Sequence, residues 1–441
     1  MNSTTRSAKR SLVVSVGVVG QLLSVCALAD FLGDSKANLG VRNFYFNNDN
    51  RDGHAAPSKT EEWGQGFVLD YKSGFTDGTV GFGVDALGLV GITLDSGGGR
   101  HVGSTMIPSN GDSAADSWSR LGLTAKTRFK KTEARVGTLL PKLPILVAND
   151  GRLLPQTFQG GMITSNDFDR LTLVAGKIEQ ATGRGSSDRT GLAVTGGQQE
   201  SNGFYFAGTD FKATPQLTLQ YYYATLEDYY KQHFTGLVHV LPLGEGQSFK
   251  TDLRYFKTDS DGANSSGKPG YQVSGYTRNG TGEIDNDTWS AAFTYTTGGH
   301  SLMAGYQRVS DNSAFVQLNQ GSLAGDVGAG GASLWLLTDR LATTFTRAGE
   351  DTRFAQYSYN FAALGVPGLR ASVMYLNGDN IKVANGSRQK EWERDTALDY
   401  VIQSGMFKGV GLGWYNAMLR SDAVRNQDQN RLVVNYTIPL L

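Results

Sequence analysis

The sequence predicts an all-β protein, a transmembrane antiparallel β-barrel of eighteen strands, and three observations lead to this prediction. Apolar residues recur at every second position along much of the chain, which is the period of a β-strand. After residue 30, no apolar run approaches the roughly 18 residues that a membrane-spanning helix needs. Short and long connections alternate between the strands, as in barrels with short periplasmic turns and long extracellular loops.

The strands are identified by their alternation. Segment 121–131, LGLTAKTRFKK, shows it most clearly, because one set of alternate residues is apolar and the other set carries three cations. Strand-like alternation also occurs in segments 67–71, 80–86, 217–223, 249–255, 289–295, 369–375, 398–402 and 432–438. These segments predict strands with one apolar face and one polar face.

The connections set the number of strands. Eight short turns, such as KATPQ and TTGGH, separate nine longer loops rich in Gly, Asn, Asp and Ser, so the chain accommodates eighteen strands. The longer loops are expected at residues 47–64, 93–117, 140–160, 181–201, 259–286, 310–351 and 378–392, with briefer ones near 227–230 and 420–430. Soluble domains rarely carry so many long loops.

The N-terminal segment predicts a secretory signal peptide. Three cations precede an apolar run from Leu12 to Leu23, and Ala27-Leu28-Ala29 forms a cleavage site of the A-x-A type. We therefore expect a signal peptide over residues 1–29, cleaved near Ala29, and a β-barrel domain over residues 30–441. The expected location is the outer membrane of a Gram-negative cell.

Composition and motifs argue against several other classes of protein. The formal net charge is zero, so nucleic acid is not an expected partner. The single cysteine and five histidines show no metal-ligand spacing, and we expect no metal or other cofactor. Segment 81–86, GFGVDA, fits a dinucleotide fingerprint, but no helix follows it. No nucleophile motif supports an enzyme, although an outer-membrane hydrolase stays a formal alternative.

The cations of the polar faces are expected to point into a water-filled lumen. A charged side chain that faced lipid near the midplane would cost about 2–4 kcal/mol, and eighteen strands enclose an aqueous pore. A row of Lys and Arg side chains would offer successive contacts to an anion. Strand parity assigns nine cations to this basic ladder: Arg42, Lys126, Arg128, Lys130, Arg135, Lys250, Arg254, Arg370 and Arg431.

Several segments carry a resemblance to a known family. Residues 63–91, WGQGFVLDYKSGFTDGTVGFGVDALGLVG, residues 152–161, RLLPQTFQGG, and residues 431–441, RLVVNYTIPLL, resemble the OprD family of substrate-specific outer-membrane carboxylate channels of pseudomonads, the Occ channels. Residues 179–197, EQATGRGSSDRTGLAVTGG, look more like the OccK subgroup than the OccD subgroup.

This resemblance implies an eighteen-stranded barrel that is monomeric or a loose homotrimer. It implies that loops three and seven fold into the lumen as a narrow eyelet, which a basic ladder crosses. OccK-like members pass mainly monocyclic or other small organic anions, and OccD-like members pass basic amino acids. Arg128 and Arg431 look like arginines of this ladder, and Asp339 is the candidate acidic residue of the eyelet. The family has a pair of basic residues on the strand before the last. Gly413 and Tyr415 stand at those positions here, so this part of the ladder is missing.

The sequence therefore predicts a porin for passive diffusion of small carboxylate-bearing solutes. Its expected partners are small organic acids and outer-membrane lipid, and the chain is expected to form a weak homotrimer. Two alternatives within the porin class stay open: a general diffusion porin with a wide pore, and an OccD-like channel for basic amino acids.

Overall fold

A computed structural model describes residue 31 and residues 33–51, 58–101, 105–111, 113–320 and 331–441. The expected signal peptide, residues 1–29, lies outside the described residues. Among the described residues, no helix is long and apolar enough to cross a membrane.

Eighteen long strands dominate the described chain. In chain order they are β1 Lys36–Asn50, β2 Lys59–Lys72, β3 Gly81–Asp95, β4 Ser117–Phe129, β5 Thr132–Leu139, β6 Thr157–Phe168, β7 Leu171–Thr182, β8 Phe204–Lys212, β9 Leu217–Leu226, β10 Tyr230–Gly244, β11 Gln247–Ser260, β12 Asp285–Thr297, β13 His300–Val309, β14 Asp351–Asn360, β15 Leu369–Lys382, β16 Arg388–Val401, β17 Gly411–Ser421 and β18 Gln427–Pro439.

The strands form one closed antiparallel barrel. Each strand pairs with the next along the chain, and β1 also pairs with β18, from Asn38 opposite Pro439 to Asn50 opposite Gln427. Closure removes the two free edges that an open sheet would present to lipid, where backbone groups find no water to bind. The predicted fold class and strand count are confirmed.

The connections alternate as expected. Eight turns lie at one end of the barrel, here called the turn end, and nine loops lie at the other, the loop end. The loop expected at 378–392 is shorter than predicted and covers residues 383–387, because β15 continues to Lys382 through an irregularity in its pairing and β16 begins at Arg388.

Short elements decorate the connections. Ser109–Asn110 pairs with Ser113–Ala114 in the second loop, and Lys142–Leu143 pairs with Leu146–Val147 in the third. Leu192–Val194 of the fourth loop pairs with Leu318–Gln320 of the seventh. The sixth loop holds a four-residue helix, Gly262–Ser265, and a 3-10 turn, Phe361–Leu364, follows β14.

One predicted lumen residue was placed wrongly. Lys130 was expected to continue the inward face of β4, but β4 ends at Phe129 and Lys130 occupies the two-residue turn before β5. Its φ of 52° is the left-handed conformation that tight hairpin turns require. The period-two pattern could not locate this turn, because Lys130 and Lys131 are both polar cations.

The remaining alternation holds along the wall. Leu123 of β4 is 58% exposed on the outer surface, whereas Lys126 of the same strand is 7% exposed on the inner side. Phe82, Leu253 and Val434 are likewise exposed on the outer surface, as predicted for lipid-facing residues. Side chains of the outward set therefore supply the apolar surface of the barrel, and the alternate set supplies the lumen.

Cysteine labelling tests this parity. The chain has a single cysteine, so a Cys26→Ser background carries no thiol. In lipid vesicles, a membrane-impermeant thiol reagent is expected to modify Arg128→Cys, which lies on the exposed inner face near the turn end, and to spare Leu123→Cys, which lipid shields. Modification of position 123 but not of position 128 would contradict the assignment, because a register slip of one residue inverts every side chain.

Candidate functional site

The third loop, residues 140–156, crosses to strands far from the two that it connects. It leaves β5 and returns to β6, yet its fully buried Leu153 lies against β2. A Cβ atom at Gly64 would approach the Leu153 Cδ2 atom to 2.6 Å, and one at Gly66 would approach the Leu153 carbonyl oxygen to 3.1 Å. The two glycines belong to the inward set of β2 and provide the space that this loop fills.

The seventh loop, described at residues 310–320 and 331–350, reaches three separate strands. The Leu341 carbonyl oxygen accepts a 2.6 Å hydrogen bond from Arg431 of β18. The backbone N–H groups of residues 342 and 343 donate at 2.9 and 2.8 Å to the carboxylate of Glu393 of β16. The Trp335 carbonyl oxygen accepts a 2.9 Å hydrogen bond from Arg254 of β11. Buried charged groups of the wall thus hold this loop at several points.

The third and seventh loops also contact each other. The Ser333 N–H donates to the Val147 carbonyl oxygen at 3.0 Å, and the Asn149 side-chain amide donates to the Gly331 carbonyl oxygen at 3.0 Å. Backbone groups of the two loops are therefore joined beside the strands that each loop reaches.

A cavity of about 250 Å³ lies where the two loops meet β1, β17 and β18. The wall contributes Arg42, Tyr415 and Arg431 to its lining, and the loops contribute Asp150, Arg152 and Leu341. Two arginines that strand parity assigns to the lumen, Arg42 and Arg431, line this cavity together, so we treat it as the candidate functional site.

Arg42 binds a carboxylate of the third loop in this cavity. Its Nη1 and Nη2 atoms donate to the two oxygens of Asp150 at 2.7 and 3.1 Å, and Nη1 also donates to the Arg152 carbonyl oxygen at 2.7 Å. The Arg42 Nε atom donates to the Asn435 side chain at 3.1 Å. Such a two-pronged contact is the usual way in which a guanidinium recognises a carboxylate.

Arg431 is more deeply placed. It is 7% exposed, and its Nε atom donates to Gln429 at 2.7 Å while Nη2 donates to the Leu341 carbonyl oxygen. The Nη1 atom lies 3.5 Å from the Gly151 carbonyl oxygen, at the limit of a hydrogen bond. Arg431 therefore contacts both loops, and its Nη1 group has only a weak hydrogen bond, to the neutral carbonyl oxygen of Gly151.

Four of the other predicted ladder cations are paired with carboxylates of the wall. Lys126 lies 2.6 Å from Asp85 and also donates to the Ser73 carbonyl oxygen. Asp252 lies 3.0 Å from Lys250 and 2.8 Å from Arg254 on the same strand face. Arg135 pairs with Glu133. Three carboxylates therefore offset most of the charge of these four cations, because Lys250 and Arg254 share Asp252, and none of the four lines the cavity.

The last predicted cations lie near the turn end. The Arg128 guanidinium stacks over the Phe75 ring at 4.1 Å, and Lys130 sits in its turn beside Phe129. Arg370 is exposed and lies in register opposite Asp399. None of the three lines the cavity between the loops.

Asp339 lies in the seventh loop, where its carboxylate accepts a 2.8 Å hydrogen bond from the Leu334 N–H. Burial raises the pKa of this carboxyl, while the Leu334 N–H and the guanidinium of Arg184 oppose the rise. Asp150, and not Asp339, lines the cavity, and the assignment of Asp339 as the acidic residue of an eyelet stays a prediction.

Sequence reasoning missed several residues in or beside the candidate site. Asp150 and Arg152 bring opposite charges into the proline-containing third loop, as the segment NDGR at 149–152, and this charged tip was the signal that could have found them. Arg184 of the fourth loop donates to Asn149 at 3.0 Å, and burial together with the charge of Arg431 lowers its pKa to about 10. No sequence signal marked Arg184, because its partners lie in other loops.

Comparison with known proteins gives consistent matches over nearly the whole chain. The sequence model of the OprD family, described as an outer membrane porin, matches residues 29–440. Porin-like protein GalP of Pseudomonas putida is 37% identical over 425 residues, which cover 95% of this chain and 96% of GalP.

Two solved structures of Pseudomonas aeruginosa proteins extend the comparison. The crystal structure of OccK8 (OprE) has a TM-score of 0.85 at 50% identity and covers 94% of this chain and 100% of that one. The crystal structure of OpdK with vanillate has a TM-score of 0.81 at 34% identity and covers 93% of this chain and 100% of that one. The expected resemblance to the OprD family and to OccK channels is confirmed.

Proposed function

Because this chain belongs to the OprD family of outer-membrane porins, we propose that it is a substrate-selective channel for small organic anions that carry a carboxylate. The family and the curated relatives are porins, so the chain is a channel of the outer membrane and the hydrolase alternative is wrong.

We infer that the third and seventh loops form the constriction of the lumen. Leu153 packs against the inward glycines of β2, and Leu341 is bonded to Arg431 on the inward face of β18. The two loops are also hydrogen-bonded to each other. Loops held in this way narrow the route through an eighteen-stranded barrel, which would otherwise enclose a wide pore.

One observation carries the selectivity for carboxylates. In the cavity between the loops, Arg42 already holds the carboxylate of Asp150 with both oxygens, beside Arg152 and Arg431. The chain's own aspartate thus occupies the place that a carboxylate solute would take. Converging arginines bind planar anions by charge-assisted hydrogen bonds, which are about twice as strong as neutral ones.

The other predicted ladder cations contribute less to anion selectivity than the arginines of the cavity. Lys126, Arg135, Lys250 and Arg254 are offset in large part by three nearby acids, so they contribute less positive potential to the lumen than an unpaired row of cations would. Arg128 and Arg370 are exposed near the turn end, where they would attract an anion that has passed the constriction. We therefore propose one strong anion site with flanking cations in place of nine equal rungs.

The relatives support the same chemistry. Vanillate is named with the OpdK structure, and it is a monocyclic carboxylate.

We also propose that residues 1–29 are a signal peptide, and the weak homotrimer stays a prediction.

Planar-bilayer recordings test the proposal. Reversal potentials in separate gradients of sodium benzoate and benzylammonium chloride are expected to show that benzoate permeates more readily than benzylammonium, a cation of matched size, because the constriction presents arginines to the solute. Equal permeability of the two ions would favour a general porin. A larger permeability for arginine than for benzoate would favour an OccD-like channel for basic amino acids.

A further inference from the structure

Tyr415 and Asp399 form a hydrogen-bonded unit next to the arginines of the cavity. The Tyr415 hydroxyl donates to the Asp399 Oδ1 atom at 2.5 Å, from β17 to the adjacent β16. Tyr415 also lies in register opposite Arg431 of β18. A phenol and a carboxylate therefore stand on the same inner wall as the proposed carboxylate site.

Gly413 makes this arrangement sterically possible. It lies in register opposite Asp399, and a Cβ atom built on it would come within 2.7 Å of the Tyr415 hydroxyl oxygen. Any side chain at position 413 would displace the phenol from the carboxylate. The glycine thus allows the Tyr415 ring to lean across β17 to Asp399.

The unit lies between two cavities. Tyr415 and Asn435 line both the cavity of about 250 Å³ that holds Arg42 and Arg431 and a second cavity of about 570 Å³ toward the turn end. Asp399 lines the second cavity. A solute held by the arginines would therefore extend past Tyr415 toward Asp399.

Asp399 retains hydrogen-bonding capacity. Tyr415 occupies its Oδ1 atom, and within the described chain the Oδ2 atom receives no hydrogen bond. A half-buried carboxylate oxygen beside a cavity accepts hydrogen bonds strongly, because the alternative is incomplete solvation. The unit is therefore an acceptor for a donor group carried by the solute.

Local charge decides which donor fits. Arg370 lies in register opposite Asp399 on β15, and Lys408 lines the same cavity. Among the charged residues that line the two cavities, the cations Arg42, Arg152, Lys408 and Arg431 outnumber the acids Asp150 and Asp399. A positively charged group at this end of the solute would be repelled by this excess of positive charge, whereas a neutral hydroxyl would not.

We propose, resting on the carboxylate channel proposed above, that Tyr415 and Asp399 recognise a hydroxyl group on the far side of the carboxylate solute. The preferred substrates are then hydroxylated organic acids. Arg431 and Asp399 lie on strands two apart, a lateral backbone separation of about 10 Å, and they are offset by two residues along the strands. Two long polar side chains that reach toward each other across this span leave room for a single ring with its two polar groups at opposite ends.

The test is the permeability ratio of 4-hydroxybenzoate to benzoate, measured by reversal potentials in the same bilayers. We expect the wild-type ratio to exceed one and Asp399→Asn to lower it about fivefold, because the charged acceptor of the solute hydroxyl is lost. Tyr415→Phe is also expected to lower the ratio, because the Tyr415 hydroxyl holds the Asp399 carboxylate in place. The ratio of 4-methoxybenzoate, which lacks the donor, to benzoate is expected to be the same in wild type and variants. Folding of each variant is checked by heat-modifiable mobility on gels.

A matched control is available on the outer wall. Tyr306 donates to Asp351 at 2.6 Å in an equivalent tyrosine–aspartate pair that faces outward, so Tyr306→Phe is expected to leave the ratio unchanged. An unchanged ratio in Tyr415→Phe and Asp399→Asn would overturn the inference. So would a higher permeability for 4-(aminomethyl)benzoate than for 4-hydroxybenzoate. If the wild-type channel showed no preference for benzoate over benzylammonium, the proposed function itself would be overturned.

Discussion

Replacing Arg431 with alanine is expected to lower the permeability of benzoate relative to sodium about tenfold while the channel still conducts sodium chloride. A hydrogen bond to a charged group contributes about 1.5–3 kcal/mol, and each 1.4 kcal/mol is a factor of ten. Arg431 lines the cavity between the loops, and its Nη1 donor has only a neutral acceptor at 3.5 Å there. The seventh loop stays attached through Glu393 and Arg254, so the constriction persists. Reversal potentials in a sodium benzoate gradient measure the change.

Lys250→Ala is the matched control for charge. Lys250 faces the lumen from β11, and its removal leaves Asp252 paired with Arg254. We expect a small effect, because partly exposed ion pairs contribute little. Equal losses in Lys250→Ala and Arg431→Ala would mean that diffuse lumen charge, as in a general porin, sets selectivity. Arg431→Lys separates charge from geometry, since an ammonium cannot reproduce the planar fork of a guanidinium.

The barrel could be predicted from sequence because its rules are local. A strand that faces lipid on one side and water on the other must alternate, so residues such as Leu123 and Lys126 could be assigned to opposite sides of the wall. Counting short and long connections then gave the number of strands. The error at Lys130 arose because alternation cannot distinguish a strand from a turn where two consecutive residues, Lys130 and Lys131, are both cations.

Part of the neutralisation of the ladder was also readable from sequence. Glu133 and Arg135, or Asp252 and Arg254, lie two residues apart and therefore on the same face of one strand. The pair of Lys126 with Asp85 was not readable, because it depends on the register between β3 and β4. Parity identifies which cations face inward but not which of them remain unbalanced.

The assembly of the candidate site required the tertiary structure. Arg42 and Asp150 are 108 positions apart, and Arg431 and Leu341 are 90 positions apart. Neither contact follows from a pattern along a strand, because each depends on how a loop folds back against strands that it does not connect. The arginines could be nominated from sequence, but their convergence and the acid among them could not.

Asp150→Asn is expected to increase the permeability of benzoate relative to sodium severalfold and to lower the concentration at which the benzoate current saturates. The Asp150 carboxylate, whose side chain is 55% exposed, engages Arg42 at 2.7 and 3.1 Å and so competes with any carboxylate solute for the same guanidinium. Asparagine has nearly the same size but offers one neutral acceptor, so the solute displaces a weaker ligand in a cavity with one negative charge fewer. Current–concentration curves and reversal potentials with benzoate measure both effects.

The third loop should keep its place in this variant, which makes the result interpretable. Leu153 is fully buried against β2, and Arg120 of β4 holds the Pro155 carbonyl oxygen independently of Asp150. An unchanged sodium chloride conductance would show that the loop has not moved. Asp77→Asn, an equal charge change in an exposed turn outside the cavity, is expected to leave benzoate permeation unaltered. A decrease in benzoate permeability in Asp150→Asn would contradict this view, because it would mean that Asp150 orients Arg42 for the solute and does not compete with it.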